Sequence, residues 1–336
     1  MVTISFPGLG IGEFTVNKVA ISVGKLEVRW YGILIVLGII AAFTYATLRA
    51  KKYSVSFDDM LDVTVYTVIT GIVGARLYYV LSELDHYNSF WDVFKIWEGG
   101  LGIYGGIIGG AIAMFIVCRI KKINIAAVFD CAGPGVMLAQ AIGRWGNFFN
   151  GEAYGKAPAE GSFLYLFRMT VKQEYWYAAE LCQPCFLYEC LWNLLGFALI
   201  NIFLKKKKFN GQIFFEYLAW YGFGRFFIET QRTDSLYIGS TNIRKSMLVA
   251  ALCVLAAVGL TVYGILKARK TEKLSFGYAD VFGPLFAGSQ VSLKEEDKAE
   301  EEISEESTEG DIPEEEQEPD GQDSESDDAG DDSGEE

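Results

Sequence analysis

Apolar residues dominate seven long runs of this 336-residue chain, at positions 30–48, 60–81, 99–117, 123–143, 184–204, 211–228 and 247–265. Each approaches the ~20 residues with which a helix crosses a bilayer, so the pattern predicts an all-α polytopic membrane protein of about seven transmembrane helices. Three runs are interrupted: the second carries Arg76, the fourth Asp130, and the sixth Glu216 and Arg225. A charge at the centre of a lipid-facing helix costs about 2.5–3.5 kcal/mol on insertion scales, so such residues persist where they pair, line a wet cavity or bind substrate. Between the fourth and fifth runs, the polar and aromatic stretch 150–183 is long enough for a small head outside the bilayer. The chain is expected to divide into a membrane domain, 1–273, and a tail, 274–336.

Charge sets the orientation. The net charge of −14 misleads, because 23 of the 43 acidic residues and only 2 of the 29 bases lie in 294–336, which leaves 20 acidic against 27 basic residues before it. From about 292 the tail is Glu, Asp, Ser and Gly with almost no aromatics, a composition that cannot bury enough surface to offset chain entropy; it is expected to be disordered. The remaining bases cluster in alternate connections: Arg49, Lys51 and Lys52; Arg119, Lys121 and Lys122; Lys205 to Lys208; and Lys267, Arg269, Lys270 and Lys273. The positive-inside rule then places the N-terminus outside and the C-terminus in the cytoplasm. Residues 1–25 lack a basic segment followed by an apolar one, so no cleavable signal peptide is expected.

Several motifs carry little. Gly100, Gly102 and Gly105 spell G-x-G-x-x-G, yet they lie in an apolar run with no strand before them and no ribose-binding acid after. The four-residue recurrence of Gly102, Gly106 and Gly110, and of Gly105 and Gly109, predicts instead the close approach of a neighbouring helix, with this third helix in the interior beside the site. Cys182 and Cys185 form C-x-x-C with Cys190 nearby, but no βαβ pattern surrounds them and no second ligand pair completes a zinc site, which leaves structural thiols with a disulfide still open. The lone histidine, His86, excludes a multi-His metal centre and reads as a solvated loop residue. Nothing here points to a metal or a nucleic-acid partner.

What remains is a set of polar clusters near outward helix ends. Arg225 and Glu229 are four residues apart and Arg232 seven, which puts them on one face. Arg144, Asn147, Asn150 and Glu152 form a second cluster, Arg76 and Tyr78 a third, Tyr188 and Glu189 a fourth. An ion pair anchoring helix ends explains any one of them, and a single interfacial Arg can snorkel. Three arginine-bearing clusters together predict a pocket for a phosphate-bearing lipid.

These residues resemble those of the bacterial phosphatidylglycerol:prolipoprotein diacylglyceryl transferases. The family pattern G-R-x-G-N-F-x-N-G-E-x-x-G stands here as Gly143 through Gly155, preceded by Trp30-Tyr31-Gly32, a G-A-R-x-x-Y at 74–79 and the glycine-rich third run, and followed by G-x-x-R-F-x-x-E-x-x-R at 222–232. The likeness covers roughly 14–265 and leaves the acidic tail outside.

The resemblance implies a seven-helix enzyme of the bacterial cytoplasmic membrane. It would move the diacylglyceryl group of phosphatidylglycerol onto the lipobox cysteine thiol of a preprolipoprotein signal peptide, releasing glycerol 1-phosphate without a cofactor. By the same resemblance, Arg144 and Arg225 hold the phosphate and balance its growing charge. Asn147, Asn150, Glu152, Gly155 and Glu229 shape the site and orient lipid and arginines, while Tyr31, Arg76 and Arg232 contribute to substrate binding. Tyr104 stands where many members carry a histidine proposed as the thiol base. A phenol with a reference pKa of about 10 is mostly protonated at neutral pH, so Tyr104 is expected to donate a hydrogen bond, with deprotonation left to Glu152, water or the phosphate. A second departure is Gln183 before Pro184, where the family commonly has His; the following Tyr188-Glu189 pair is expected to be structural support. A lipid or anion transporter is the rival class, although the polar residues gather at helix ends rather than at midplane; an inactive scaffold is a third reading.

Overall fold

The computed structural model describes residues 1–24, 26–53, 55–87, 89–174, 178–238 and 241–270, all within the compact unit Met1–Gln290. The tail expected from 274 onward lies outside the described residues, as does the side chain of His86. Seven helices are present among the described residues: α1 (Trp30–Ala50), α2 (Phe57–Ser82), α3 (Ile103–Ile120), α4 (Ile125–Asn150), α5 (Cys185–Phe203), α6 (Gln212–Gln231) and α7 (Lys245–Ala268). Six of them, all but α6, are long and apolar enough to cross a membrane. The protein is mostly helical and polytopic, as expected of backbone that must satisfy its own hydrogen bonds in lipid.

Local signals place the helix ends. Ser56 accepts a hydrogen bond from Asp59 N and starts α2, with Asp58 and Asp59 in the first turn where the helix dipole favours negative charge. Asn124 does the same for α4 through Ala127 N. α4 is the most enclosed helix and packs against α1, α5 and α6.

The third helix departs from its expected place. Close approach is present: Gly74 and Gly105 face each other so that a Cβ at Gly74 would lie 2.5 Å from Gly105 O, and one at Gly109 would lie 2.6 Å from Thr70 O. The partner, however, is α2, and α3 packs on little else. Ile103, Ile107, Ile108 and Ile112 are exposed along it, so α3 is a peripheral helix rather than an interior one. Gly99 and Gly100 precede α3, with φ of 96° and 76°, so the G-x-G-x-x-G straddles a loop and a helix start.

The all-α expectation also requires correction. Six strands are present among the described residues: β1 (Val2–Phe6), β2 (Ile11–Val16), β3 (Val19–Val23), β4 (Leu26–Arg29), β5 (Met169–Gln173) and β6 (Glu180–Cys182). β3 and β4 form a hairpin; the others form an antiparallel sheet in the order β2-β1-β5-β6. The N-terminal strand therefore sits at the centre of the head, pairing Val2 with Gln173 and Ser5 with Thr170. Val2, Ile4, Met169, Val171, Cys182 and Phe186 bury one face of the sheet, with Phe148 and Tyr154 packed against them, which seats the head on the end of α4 and the start of α5.

At the opposite ends of the helices, Lys207 of the basic connection 205–208 is buried. Its Nζ lies 2.8 Å from Asp130 Oδ2, both side chains are fully buried, and Asn210 and the Tyr53 ring complete its surroundings. Asp130 also accepts from Gly211 N at 2.7 Å and Phe214 N at 3.0 Å, so a carboxylate on α4 caps the first turn of α6.

Candidate active site

The turn that ends α4 builds half of the site. Gly151 has φ 62°, a left-handed conformation that suits glycine, and its N–H returns to Asn147 O and Phe148 O. A Cβ there would also press on Val2 at 2.6 Å. The chain reverses, Glu152 N donates to Asn147 O, and the Glu152 carboxylate comes back over the helix end. Asn147 Nδ2 and Asn150 Nδ2 both donate to Glu152 Oε1 at 3.1 Å, and Arg144 Nη1 donates to Asn147 Oδ1 at 3.2 Å. The spacing of the motif is thus the spacing of a helix C-cap whose side chains bond in series.

α5 and α6 supply the other half. Glu189, buried in the first turns of α5, binds Arg144 through Oε2 at 2.5 Å and Arg225 through Oε1 at 2.8 Å. Arg225 Nη2 reaches Glu229 Oε2 at 2.6 Å one turn on. Arg232, past the end of α6, lies 3.5 Å from Glu189 Oε1 and forms a bidentate pair with Asp234 at 2.9 and 2.7 Å. Three guanidinium groups and three carboxylates form one connected network, and Asn147 joins Glu152 to it. A buried arginine is expensive without a partner, and here each has at least one carboxylate. Arg144 and Arg225 remain partly exposed, at 20% and 16% of the side chain, and Asp234 at the edge of the network is more exposed still.

Gly155 closes the site from the head. Its N–H donates to Gln183 O at 2.8 Å, Lys156 N donates to Gln231 O, and Gly155 bridges to Arg232. A Cβ at Gly155 would meet Cys185 Sγ at 2.7 Å, so glycine allows the strand-like approach. Gln183 Nε2 donates to Gln231 Oε1, and this bond ties the head to the end of α6. The Tyr31 ring lies against Gly146, where a Cβ would stand 2.6 Å from it.

The family model of prolipoprotein diacylglyceryl transferase matches residues 18–263. The chain belongs to that family. It is 41% identical over 259 residues to phosphatidylglycerol–prolipoprotein diacylglyceryl transferase 1 of Clostridium perfringens, covering 76% of this chain and 98% of the relative. It is 40% identical over 267 residues to the enzyme of the same name, without the numeral, from Listeria welshimeri, covering 77% of this chain and 94% of the relative. The similarly named Streptococcus equi subsp. zooepidemicus enzyme is 41% identical over 246 residues, 72% of this chain and 93% of the relative.

Not every expected residue of this transferase-family chain joins the network. Arg76 donates four hydrogen bonds to main-chain carbonyls, of Asp92, Val93, Gly99 and Gly100, at 2.6–3.0 Å, so it holds the loop before α3. Tyr104 opens α3 with its ring 6.1 Å from that of Tyr78. Among the described residues, no hydrogen bond or ion pair links Arg76 or Tyr104 to Arg144, Arg225 or Glu189. Conversely, Glu189, expected as structural support, is the centre of the network. Its signal was a carboxylate at the start of an apolar run with no base on its own helix. Asp234, which pairs with Arg232, was missed. The cysteines are free thiols, and burial above all pushes the Cys182 thiol up to about 12, which makes it unreactive.

Proposed function

We propose that this membrane transferase moves the sn-1,2-diacylglyceryl group of phosphatidylglycerol to the lipobox cysteine thiol of preprolipoproteins, the first step of lipoprotein maturation. The observation that carries the reading is the convergence of Arg144 and Arg225 on the single carboxylate of Glu189 beneath the head. Two cations that would repel each other are held side by side, and a guanidinium has five N–H donors, more than the network engages on either arginine. The remaining donors suit a phosphate.

The thiolate sulfur attacks the glyceryl carbon that bears the phosphate ester; the C–S bond forms as the C–O bond breaks, and glycerol 1-phosphate leaves with the electron pair. Arg144 and Arg225 stabilise the charge that gathers on the departing phosphate. A free thiol has a pKa of about 8.5, so its proton must be accepted during the reaction. Glu152, water or the phosphate itself accepts it; the support for Glu152 is that both asparagines bind Oε1 and leave Oε2 available. Asn147, Asn150, Glu229 and Arg232 orient the arginines, Tyr31 and Gly155 line the mouth, and Tyr104 donates a hydrogen bond to phosphate or thiolate. Arg76 contributes by holding the loop before α3.

In this reading the head and the N-terminus face outward from the bacterial cytoplasmic membrane. α6 is a seventh span whose acidic side chains are hydrogen-bonded within the helix, Glu216 accepting from Gln212 and Glu229 pairing with Arg225. The membrane domain is 1–273 and the acidic tail is cytoplasmic. Purified protein incubated with phosphatidylglycerol and a lipobox peptide is expected to yield a thioether-linked diacylglyceryl product by mass spectrometry with Cys, and none with Ser, at the acceptor position. Arg144→Ala is expected to reduce kcat by about 10²–10³-fold, as for loss of one oxyanion-hole donor. Folded protein that binds phosphatidylglycerol but forms no product would overturn the proposal and favour a transporter.

A further inference from the structure

α5 and α6 meet at two indoles that bond to each other's helix. The rings of Trp192 and Trp220 stack with centroids 4.2 Å apart and planes 14° apart. Trp192 Nε1 donates to Trp220 O at 3.0 Å, and Trp220 Nε1 donates to Trp192 O at 2.9 Å. Each residue thus gives its indole N–H to the carbonyl of the other, a closed reciprocal pair. A carbonyl oxygen has two lone pairs, so each can accept an indole without giving up its place in the helix.

The room for this comes from one glycine on each side. Gly196 follows Trp192 by one turn and Gly224 follows Trp220 by one turn, a W-x-x-x-G on both helices. A Cβ at Gly196 would run into Trp220 Nε1, and one at Gly224 into Trp192 Nε1. Glycine inside a helix costs about 1 kcal/mol against alanine, so the two glycines weaken their own helices while admitting the indoles. Sliding one helix along the other breaks both hydrogen bonds and the stack together. The unit therefore sets the height and rotation of α5 against α6.

That relation is the one the arginine network depends on. Glu189 lies one turn before Trp192 on α5, and Arg225 directly follows Gly224 on α6. Glu189 Oε1 must meet Arg225 at 2.8 Å while Oε2 holds Arg144 on α4. We propose that Trp192 and Trp220, seated on Gly224 and Gly196, are positioning residues for the diacylglyceryl transfer, holding the register of α5 and α6 that places Arg225 against Glu189. The proposal rests on the reading of Arg144 and Arg225 as the phosphate-binding pair. The plainer alternative is ordinary interhelical packing that supports stability alone.

The test compares full-length Trp192→Phe, Trp220→Phe, the double variant and Gly224→Ala with two controls. Gly264→Ala drives a methyl into Phe209 at the far end of α7 and serves as a packing defect remote from the network; Arg225→Ala tests the site itself. Each indole variant is expected to lower kcat about tenfold or more, with KM for phosphatidylglycerol within about twofold, because a small misplacement of catalytic groups costs rate more than binding. The double variant is expected to match the worse single one, and each single variant to lose the excitonic circular-dichroism couplet of the stacked indoles. Gly264→Ala is expected to melt at a lower temperature with normal kcat. Indole variants that lose the couplet yet keep kcat, or that lose activity only in proportion to their folded fraction, would overturn the positioning role. Full activity in Arg225→Ala would overturn the underlying site reading instead.

Discussion

Glu189 shows how one side chain decides what its neighbours can do. Its two oxygens bind two different helices' arginines, so removing the charge takes from Arg144 and Arg225 the carboxylate that they share. Glu189→Gln keeps the shape, and kcat in the thioether assay is expected to fall on the order of 10²-fold, the cost of displacing a reacting group by about 1 Å; unchanged kcat would show that the arginines stand without it. Asp234 offers a pH readout outside the helices. Burial opposes its ionisation, but the hydrogen bonds and charge of Arg232 outweigh burial and hold the carboxyl below its ordinary range. A depressed folded pKa contributes stability that is present above the unfolded value and lost as pH falls through the folded one. Melting temperature is therefore expected to drop as pH falls below about 4, and Asp234→Asn to flatten that part of the profile. Arg144, Asn147, Glu152, Arg225 and Glu229 were legible in the sequence, because charge in an apolar run and helical spacing are local properties. The roles of Glu189 and Asp234 were not, because each depends on a partner on another helix or past a helix end.

At the scale of elements, the α2–α3 pair rests on glycine. Gly105→Ala would drive a methyl into Gly74 O, and such overpacking typically costs about 1–3 kcal/mol. The variant is expected to melt at a lower temperature and, through the Arg76-held loop at the top of this pair, to become more sensitive to proteolysis around 92–100. A stable, protease-resistant variant would mean that α2 and α3 can separate without loss. The glycine stripe was readable as a contact face, but not its partner, since small residues show that something approaches and not which helix. The strands escaped for a related reason. Alternation in the five-residue Val2–Phe6 and Met169–Gln173 is short, and each becomes a strand by pairing with the other across most of the chain's first half.

For the molecule as a whole, the ends of the helices are tied differently. The head side carries the arginine network, while the other side is closed by Asp130 and Lys207 beneath α6. Removing one partner of a buried pair typically costs about 3–5 kcal/mol, so Lys207 stabilises the fold although its sequence context marks it as a topology signal. The acidic tail lies outside the described residues. Truncation after Lys273 is expected to leave product formation by the purified protein intact, and a large loss would refute a dispensable tail.

The sequence by itself determined the places of the long helices, the motif that forms the α4 cap, and the family, because hydropathy, helical spacing and turn chemistry act over a few residues. The tertiary structure alone decided that the first residues are the middle of the head sheet, that α3 lies at the periphery on α2, that Asp130 is a cap for α6, and that three helices share Glu189. Each of these depends on which surfaces meet, and contacts between distant segments are set by the packing of the whole chain rather than by any local pattern.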